Sequence, residues 1–229
     1  MFTSVIIPAA GVGERMGASV SKQFLPLQGK PIIVHTLERF QMCAAVDEII
    51  VAVHPSSRRQ VELLVDEYRL SKAAKIVEGG RRRQDSVSNA IRHIEPGAEI
   101  VIVHDAVRPF VQQKVILHSI DKAKSMSAAV AAVRVKDTIK VGNDRGEFER
   151  TLDRSVLWLA QTPQTFRKQL LIDAYEHAGR EEIEATDDAS LVERLNVHPA
   201  IVDGSFDNIK ITTPDDLEFA EVLARRFKD

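Results

Sequence analysis

Short runs of apolar residues recur along the chain, separated by longer stretches in which apolar positions return at helical intervals. Val5-Ile6-Ile7, Ile49-Ile50-Val51-Ala52-Val53, Ile100-Val101-Ile102-Val103 and the run Ala128 to Val133 carry no polar alternation. A strand with one wet face alternates, so these continuous runs predict strands covered on both faces. Between the first two, Pro31 opens a segment in which Ile32, Leu37 and Phe40 fall near helical spacing. Proline suits a first helical position because the amide it lacks would have no partner there. Strand and helix in alternation predict an α/β fold: a mainly parallel, twisted sheet with helices on both faces.

One segment breaks the rhythm. Between Thr138 and Arg154, apolar Ile139, Val141, Phe148 and Leu152 flank the turn-rich Gly142-Asn143-Asp144-Arg145-Gly146, which is the pattern of a β-hairpin. A two-stranded ribbon is marginally stable alone, so it must pack on its own domain or, more economically, on a second subunit. No repeat, low-complexity stretch or linker divides the chain, which predicts one domain over residues 1–229 with the hairpin of 137–155 as a protruding arm.

Composition narrows the class. With 44% hydrophobic and 28% charged residues the chain can bury a substantial core. Its 31 basic residues nearly balance 33 acidic ones, for a net charge of -2. That excludes a general attraction to nucleic acid or an anionic membrane, so any cationic site is local. The single Cys43 excludes an intrachain disulfide and a thiolate metal cluster, and its apolar neighbours predict a buried thiol. Met1-Phe2-Thr3-Ser4 leads straight into a strand-like run without a basic, apolar leader, and no apolar run approaches membrane-spanning length. The expected setting is the cytoplasm.

Candidate chemistry begins at the end of the first strand, with Pro8-Ala9-Ala10-Gly11-Val12-Gly13-Glu14-Arg15-Met16-Gly17 and then Ser21-Lys22-Gln23. Small residues here let backbone amides surround an anion. A dinucleotide fingerprint requires glycine where Met16 stands, and a Walker loop requires a Gly-Lys-Ser/Thr that does not follow Gly11. What remains is a glycine-rich turn with Arg15 and Lys22 at a strand's carboxyl end, where open α/β sheets bind ligands. It suits a nucleoside triphosphate, and equally a tight turn with two solvated charges.

Read together, that loop, His104-Asp105-Ala106-Val107-Arg108-Pro109, Gln161-Thr162-Pro163-Gln164, Thr186-Asp187-Asp188-Ala189-Ser190 and Asp207-Asn208-Ile209-Lys210 resemble the 2-C-methyl-D-erythritol 4-phosphate cytidylyltransferases. Five blocks in order through nearly the whole chain are specific to that family and to its near relatives, the ribitol-5-phosphate cytidylyltransferases. The resemblance implies a Rossmann-like nucleotidyltransferase fold that moves CMP from CTP to a polyol phosphate, with Mg2+ as cofactor and pyrophosphate as leaving group. It implies that Ala9, Ala10, Gly11, Gly13, Gly80, Arg83 and Ser86 hold the nucleotide, and that Arg15, Lys22, Arg154 and Lys210 are catalytic. Asp105, Arg108, Thr138, Thr162 and Thr186 match positions around the polyol phosphate, with Asp105 shared between polyol and magnesium. Arg81 stands where the family often carries an acidic residue for the ribose, and His104 reads as a core histidine. The arm then embraces a second subunit and carries Arg154 to the neighbour's polyol phosphate.

Charge explains why no Ser/His/Asp or Cys/His set is needed. A phosphomonoester has a second pKa of about 6 and is ionised near neutrality, so the attacking oxygen needs no general base. Two anions must be brought together, and cations offset their repulsion. The competing expectations are ribitol 5-phosphate as acceptor, a noncatalytic nucleotide-sensing module, and an oxidoreductase, the last disfavoured by the glycine spacing.

Overall fold

The structure, a computed structural model, describes residues 1–11 and 21–226. In chain order the elements are β1 (Phe2–Ala9), a small hairpin of β2 (Pro26–Leu27) and β3 (Lys30–Pro31), α1 (Ile32–Gln41), β4 (Glu48–Val53), α2 (Arg58–Glu67), β5 (Lys75–Glu78), α3 (Arg83–Ile91) and β6 (Ala98–Val103). The second half holds α4 (Gln113–Met126), β7 (Ala128–Arg134), β8 (Lys140–Gly142), β9 (Phe148–Thr151), β10 (Trp158–Arg167), α5 (Lys168–Arg180), α6 (Asp188–Glu193), β11 (Ala200–Asp203) and α7 (Pro214–Arg226).

Seven strands form one sheet in the order β11-β7-β10-β6-β1-β4-β5. All run the same way except β10, which lies antiparallel between β6 and β7. The chain leaves β1 for β4 and β5 on one side and returns to β6 on the other. The carboxyl ends of β1 and β6 therefore bracket the switch point at which open α/β sheets form their ligand crevice.

Strand alternation sorts the core into two layers. Val5 and Ile7 join Val34, Leu37 and Phe40 of α1, Val61 of α2, and Val115, Ile116 and Ile120 of α4 on one face. Ile6 faces the other side, with Val87 of α3, Leu171, Ala174 and Tyr175 of α5, and Leu191 and Val192 of α6. The apolar runs are buried on both faces because each residue parity finds its own helical layer. Cys43 is buried, and among the described residues no helix is long and apolar enough to cross a membrane.

A third, smaller cluster matters for the site. Leu223, Ala220 and Ala224 of α7 pack with Leu27, Ile32, Val107, Phe110 and Ile211. The start of α7 is fixed by Pro214 behind a reciprocal cap: the Thr213 amide donates to Asp216 Oδ2, and the Asp216 amide donates to Thr213 Oγ1. Just upstream, the Ile211 amide donates to the Val107 carbonyl at 3.0 Å, so the segment bearing Lys210 is stitched to the loop after β6.

Three strands of the sheet, β5, β10 and β11, lie outside the predicted apolar runs. β10 buries Gln161, Thr162, Gln164 and Thr165, and each polar group has a partner: Gln161 donates to the Ser205 carbonyl, Gln164 to Asp187 Oδ2, and Thr165 to Ser119 Oγ. Short β11 pairs with β7 at the sheet edge. The expected hairpin is present as β8 and β9, antiparallel in a sheet of their own. Asn143 Oδ1 accepts from the amides of Arg145 and Glu147, and Gly146 takes φ +76°, a left-handed turn conformation open to glycine. Every residue of β9 is exposed.

Candidate active site

At the switch point one cleft is walled by Ala9, Ala10 and Gly11 beyond β1, by Lys22 and Gln23, by Gly80 to Arg83 with Ser86, and by Asp105 and Lys210. Lys22 opens the short 3-10 turn Lys22–Phe24, and buried Gln23 donates through Nε2 to the Ala9 carbonyl at 2.8 Å, which ties this turn to the end of β1. Opposite, two glycines permit a close approach. A Cβ on Gly79 would lie 2.4 Å from Ala10 Cβ, and one on Gly80 would lie 2.2 Å from Asp85 Cβ, contacts no side chain tolerates. Ser86 Oγ accepts from the Gly80 amide at 3.0 Å and donates to the Arg82 carbonyl at 3.1 Å. Gly13 and Arg15 lie outside the described residues.

A second cleft adjoins the first and shares Arg83, Asp105 and Lys210 with it, adding Arg108, Gln161, Thr162, Gln164, Thr186 and Asp187. Asp105 is the joint between the two. Its Oδ1 meets Arg83 Nε at 3.1 Å, and its Oδ2 meets Arg108 Nε at 3.2 Å and Lys210 Nζ at 3.0 Å. The Asp105 amide donates to Thr162 Oγ1 at 3.1 Å, which ties Thr162 to the loop after β6. Burial alone would push the Asp105 carboxyl up, yet Arg83, Lys210 and Arg108 hold it far below the usual carboxylate range. Arg108 also donates to the Asn208 carbonyl at 2.7 Å, and Asn208 donates to the Thr162 carbonyl at 2.8 Å. The loop after β6, the bent middle of β10 and the segment before α7 are thereby one bonded unit.

The neighbouring His104 is fully buried edge-on to Phe40, with ring centroids 4.9 Å apart, and its Nε2 lies 3.1 Å from the Arg108 carbonyl. Burial pushes its pKa down to about 4, so the ring is neutral at pH 7 and lines neither cleft.

The expectation that Asp105 could hold magnesium does not fit this geometry. Both carboxylate oxygens are engaged by cationic side chains, and among the described residues no group of three His, Cys, Asp or Glu comes together to hold a metal ion. Magnesium prefers oxygen donors in a regular octahedron, and an oxygen already facing an ammonium and a guanidinium is a poor one.

Two expected site residues stand apart from both clefts. Thr138 and Arg154 are exposed at the base of the arm, where Arg154 Nη1 donates to the Lys136 carbonyl at 2.6 Å. Sequence reasoning also passed over Gln23, and over Asp188 and Tyr175, which bond to each other at 2.5 Å behind Arg83. Asp188 lies inside the 186–190 block that carries the family resemblance, but nothing in the sequence gives its partner.

Comparison with known proteins gives a consistent picture. A family model described as 2-C-methyl-D-erythritol 4-phosphate cytidylyltransferase matches residues 3–226. The chain is 46% identical over 222 residues to the protein of that name from Syntrophus aciditrophicus, covering 96% of this chain and 95% of that one. It is 46% identical over 226 residues to the one from Geobacillus kaustophilus, covering 98% of each. Among solved structures, 4-diphosphocytidyl-2C-methyl-D-erythritol synthase from Anaerococcus prevotii superposes with a TM-score of 0.87 at 30% identity, covering 98% of this chain and 96% of that one. The Thermus thermophilus 2-C-methyl-D-erythritol 4-phosphate cytidylyltransferase superposes at 0.82 with 35% identity, covering 98% and 100%.

Proposed function

The chain belongs to the 2-C-methyl-D-erythritol 4-phosphate cytidylyltransferase family and transfers CMP from CTP to 2-C-methyl-D-erythritol 4-phosphate, releasing pyrophosphate in non-mevalonate isoprenoid precursor synthesis; from that premise, we propose a division of labour between its two clefts. CTP lies in the cleft of Ala9, Ala10, Gly11, Gly80 and Ser86, with its phosphates toward Lys22. The polyol phosphate lies in the cleft of Arg108, Thr162, Thr186 and Lys210. The observation that carries this reading is the shared wall: Arg83, Asp105 and Lys210 border both clefts, so substrates held on either side meet there.

Charge does most of the work. The second cleft is lined by the cations Arg83, Arg108 and Lys210 and the carboxylates Asp105 and Asp187, with Asp188 behind Arg83, so three cations face three carboxylates and act through their positions rather than through a net charge. Lys22 in the nucleotide cleft adds a further cation. Two unit charges about 4 Å apart interact by roughly 4 kcal/mol at an effective dielectric near 20, so two or three positioned cations offset much of the repulsion between the reacting phosphates. An oxygen of the polyol phosphate forms a bond to the α-phosphorus of CTP as the bond to the β-phosphate oxygen breaks. No side chain gains or loses a proton in this exchange, and His104, neutral and buried, stays out of it.

Asp105 accepts hydrogen bonds from the polyol hydroxyls while its three cations keep it ionised. Arg15, outside the described residues, joins Lys22 at the triphosphate. The magnesium expected from the resemblance finds no carboxylate cage among the described residues.

We further propose that the arm pairs with a second copy. Phe148 is 78% exposed and Val156 71% exposed, an apolar surface that a lone ribbon leaves wet. Pairing would bring Thr138 and Arg154 of one copy to the polyol phosphate of the other. Pyrophosphate release from CTP with methylerythritol phosphate, and with ribitol 5-phosphate alongside, tests the acceptor. A preference of about a hundredfold for the first is expected from differences in buried hydroxyl contacts. Equal or reversed rates would overturn the assignment of acceptor.

A further inference from the structure

Arg83 is held from behind by a chain of buried polar groups that the two clefts do not include. Its Nη2 donates to Asp188 Oδ2 at 2.7 Å, while its Nε faces Asp105 Oδ1 at 3.1 Å. Asp188 is fully buried, and its other oxygen accepts from the Tyr175 hydroxyl at 2.5 Å. Tyr175 belongs to the α5 layer of the core, and Leu191 and Val192 of α6 belong to the same layer. Burial, with Asp188 alongside, pushes the Tyr175 pKa well up, so the phenol stays a donor. A second tie runs beside this one: Gln84 donates to the Ile183 carbonyl at 3.0 Å and accepts from the Ala185 amide at 3.1 Å. The start of α3 is thus fastened to the connection that carries Thr186.

Resting on the reading of Arg83 as a wall of both clefts, we propose that Asp188 and Tyr175 are positioning residues for the reaction, acting through Arg83 to keep Asp105 available to the polyol. The argument is competition between two carboxylates for one guanidinium. The half-buried Arg83 divides its guanidinium between them, Nε to Asp105 and Nη2 to Asp188. Without the charge of Asp188, the released Arg83 Nη2 turns toward Asp105 Oδ1 beside Nε. It then takes the one acceptor site that Arg83 Nε, Arg108 and Lys210 leave open to a polyol hydroxyl. On the nucleotide side Arg83 is one wall among several, and the Gly80 backbone and the end of β1, which make up most of that cleft, do not depend on the pairing.

Steady-state kinetics on the full chain separate this role from a merely structural one. In Asp188→Asn, KM for the polyol phosphate rises about tenfold, kcat changes less than about threefold, and KM for CTP less than about twofold, the split expected when one ground-state contact is lost. Tyr175→Phe keeps the ring in the core and gives a smaller rise of about threefold in the same constant, which supplies the test should Asp188→Asn fail to fold. Arg83→Lys, whose single ammonium cannot span both carboxylates, raises the polyol KM by itself. Adding Asp188→Asn to Arg83→Lys raises it no further, because the two changes act through one path. Thermal midpoints measured beside the kinetics report stability separately. The proposal is overturned if Asp188→Asn and Tyr175→Phe leave the polyol KM unchanged, if they raise both KM values alike, or if the effect persists in full beside Arg83→Lys. If Arg83→Lys alters neither KM, the placement of Arg83 in the site fails and the proposal falls with it.

Discussion

At the joint between the clefts, Asp105 is 6% exposed and three cations converge on its two oxygens, whereas in the arm Phe148 is 78% exposed and Arg154 donates to the carbonyl of Lys136 at the arm's base. The joint is cross-linked by side chains from the loop after β6, β10, α3, α6 and the segment before α7, so the positions of its charges are set before substrate arrives. Such preorganisation is what lets fixed charge stabilise a transition state, because nothing has to reorient as the reaction proceeds. The arm has the opposite character: its apolar side chains point into water and its cation lies away from both clefts of its own chain. The two clefts are built within a single copy, whereas the arm takes part in the site only under the pairing proposed above.

The sharpest way to break that division is to remove a cation from the clefts. Lys22→Ala should slow the chemical step about a thousandfold in single-turnover measurements while changing CTP affinity far less, the behaviour of a charge felt mainly in the transition state. Arg15→Ala should behave alike. Single-turnover rates equal to the parent chain would remove both from the reaction.

Acid should separate the two regions next. The folded His104 titrates near 4 where the unfolded chain titrates near 6.5, so between those values the unfolded state binds a proton that the folded state refuses. Stability therefore falls as pH drops from about 6.5 toward 4, by up to about 3 kcal/mol. The depressed Asp105 adds to this only at lower pH: its contribution is complete above about pH 4, the unfolded value, and declines below it. The arm, residues 137–155, has no histidine. Urea unfolding at pH 7 and pH 4.5 should show a smaller loss in His104→Gln than in the parent, and an equal loss in both would contradict the origin assigned here.

The smallest of these effects belongs to the arm. Arg154→Ala should raise KM for the polyol phosphate about tenfold, as expected for one charge-assisted contact, and leave the CTP constant nearly unchanged. An unchanged polyol constant would leave the arm as a dimer contact without a part in binding.

The same two regions differ in how readily they were read from sequence. The buried strands of the sheet, the hairpin and the glycine-rich turn announce themselves through local patterns: apolar runs, a turn flanked by alternating residues, small residues after a strand. β10 does not, because Gln161, Thr162, Gln164 and Thr165 are buried by hydrogen bonding to Ser205, Asp105, Asp187 and Ser119, and polar burial of that kind leaves no hydropathy signal. The pairing of Arg83 with Asp188 joins residues 105 positions apart, beyond the reach of any local spacing rule. Motif resemblance found Asp105, Arg108 and Lys210 but gave Asp105 a share in magnesium; the three cations upon it became visible only once the chain was folded.

In the proposed dimer one copy supplies the nucleotide cleft and another supplies the arm. Co-expression of two differently tagged chains, Lys22→Ala and Arg154→Ala, followed by purification through both tags, tests it most directly. In the mixed dimer one site carries both lesions and the other carries neither, so with the polyol phosphate held well below its KM activity should return to about half that of the parent dimer, severalfold above Arg154→Ala and far above Lys22→Ala. Activity no higher than the average of the two variants would mean that Arg154 serves its own chain, and would contradict the shared site.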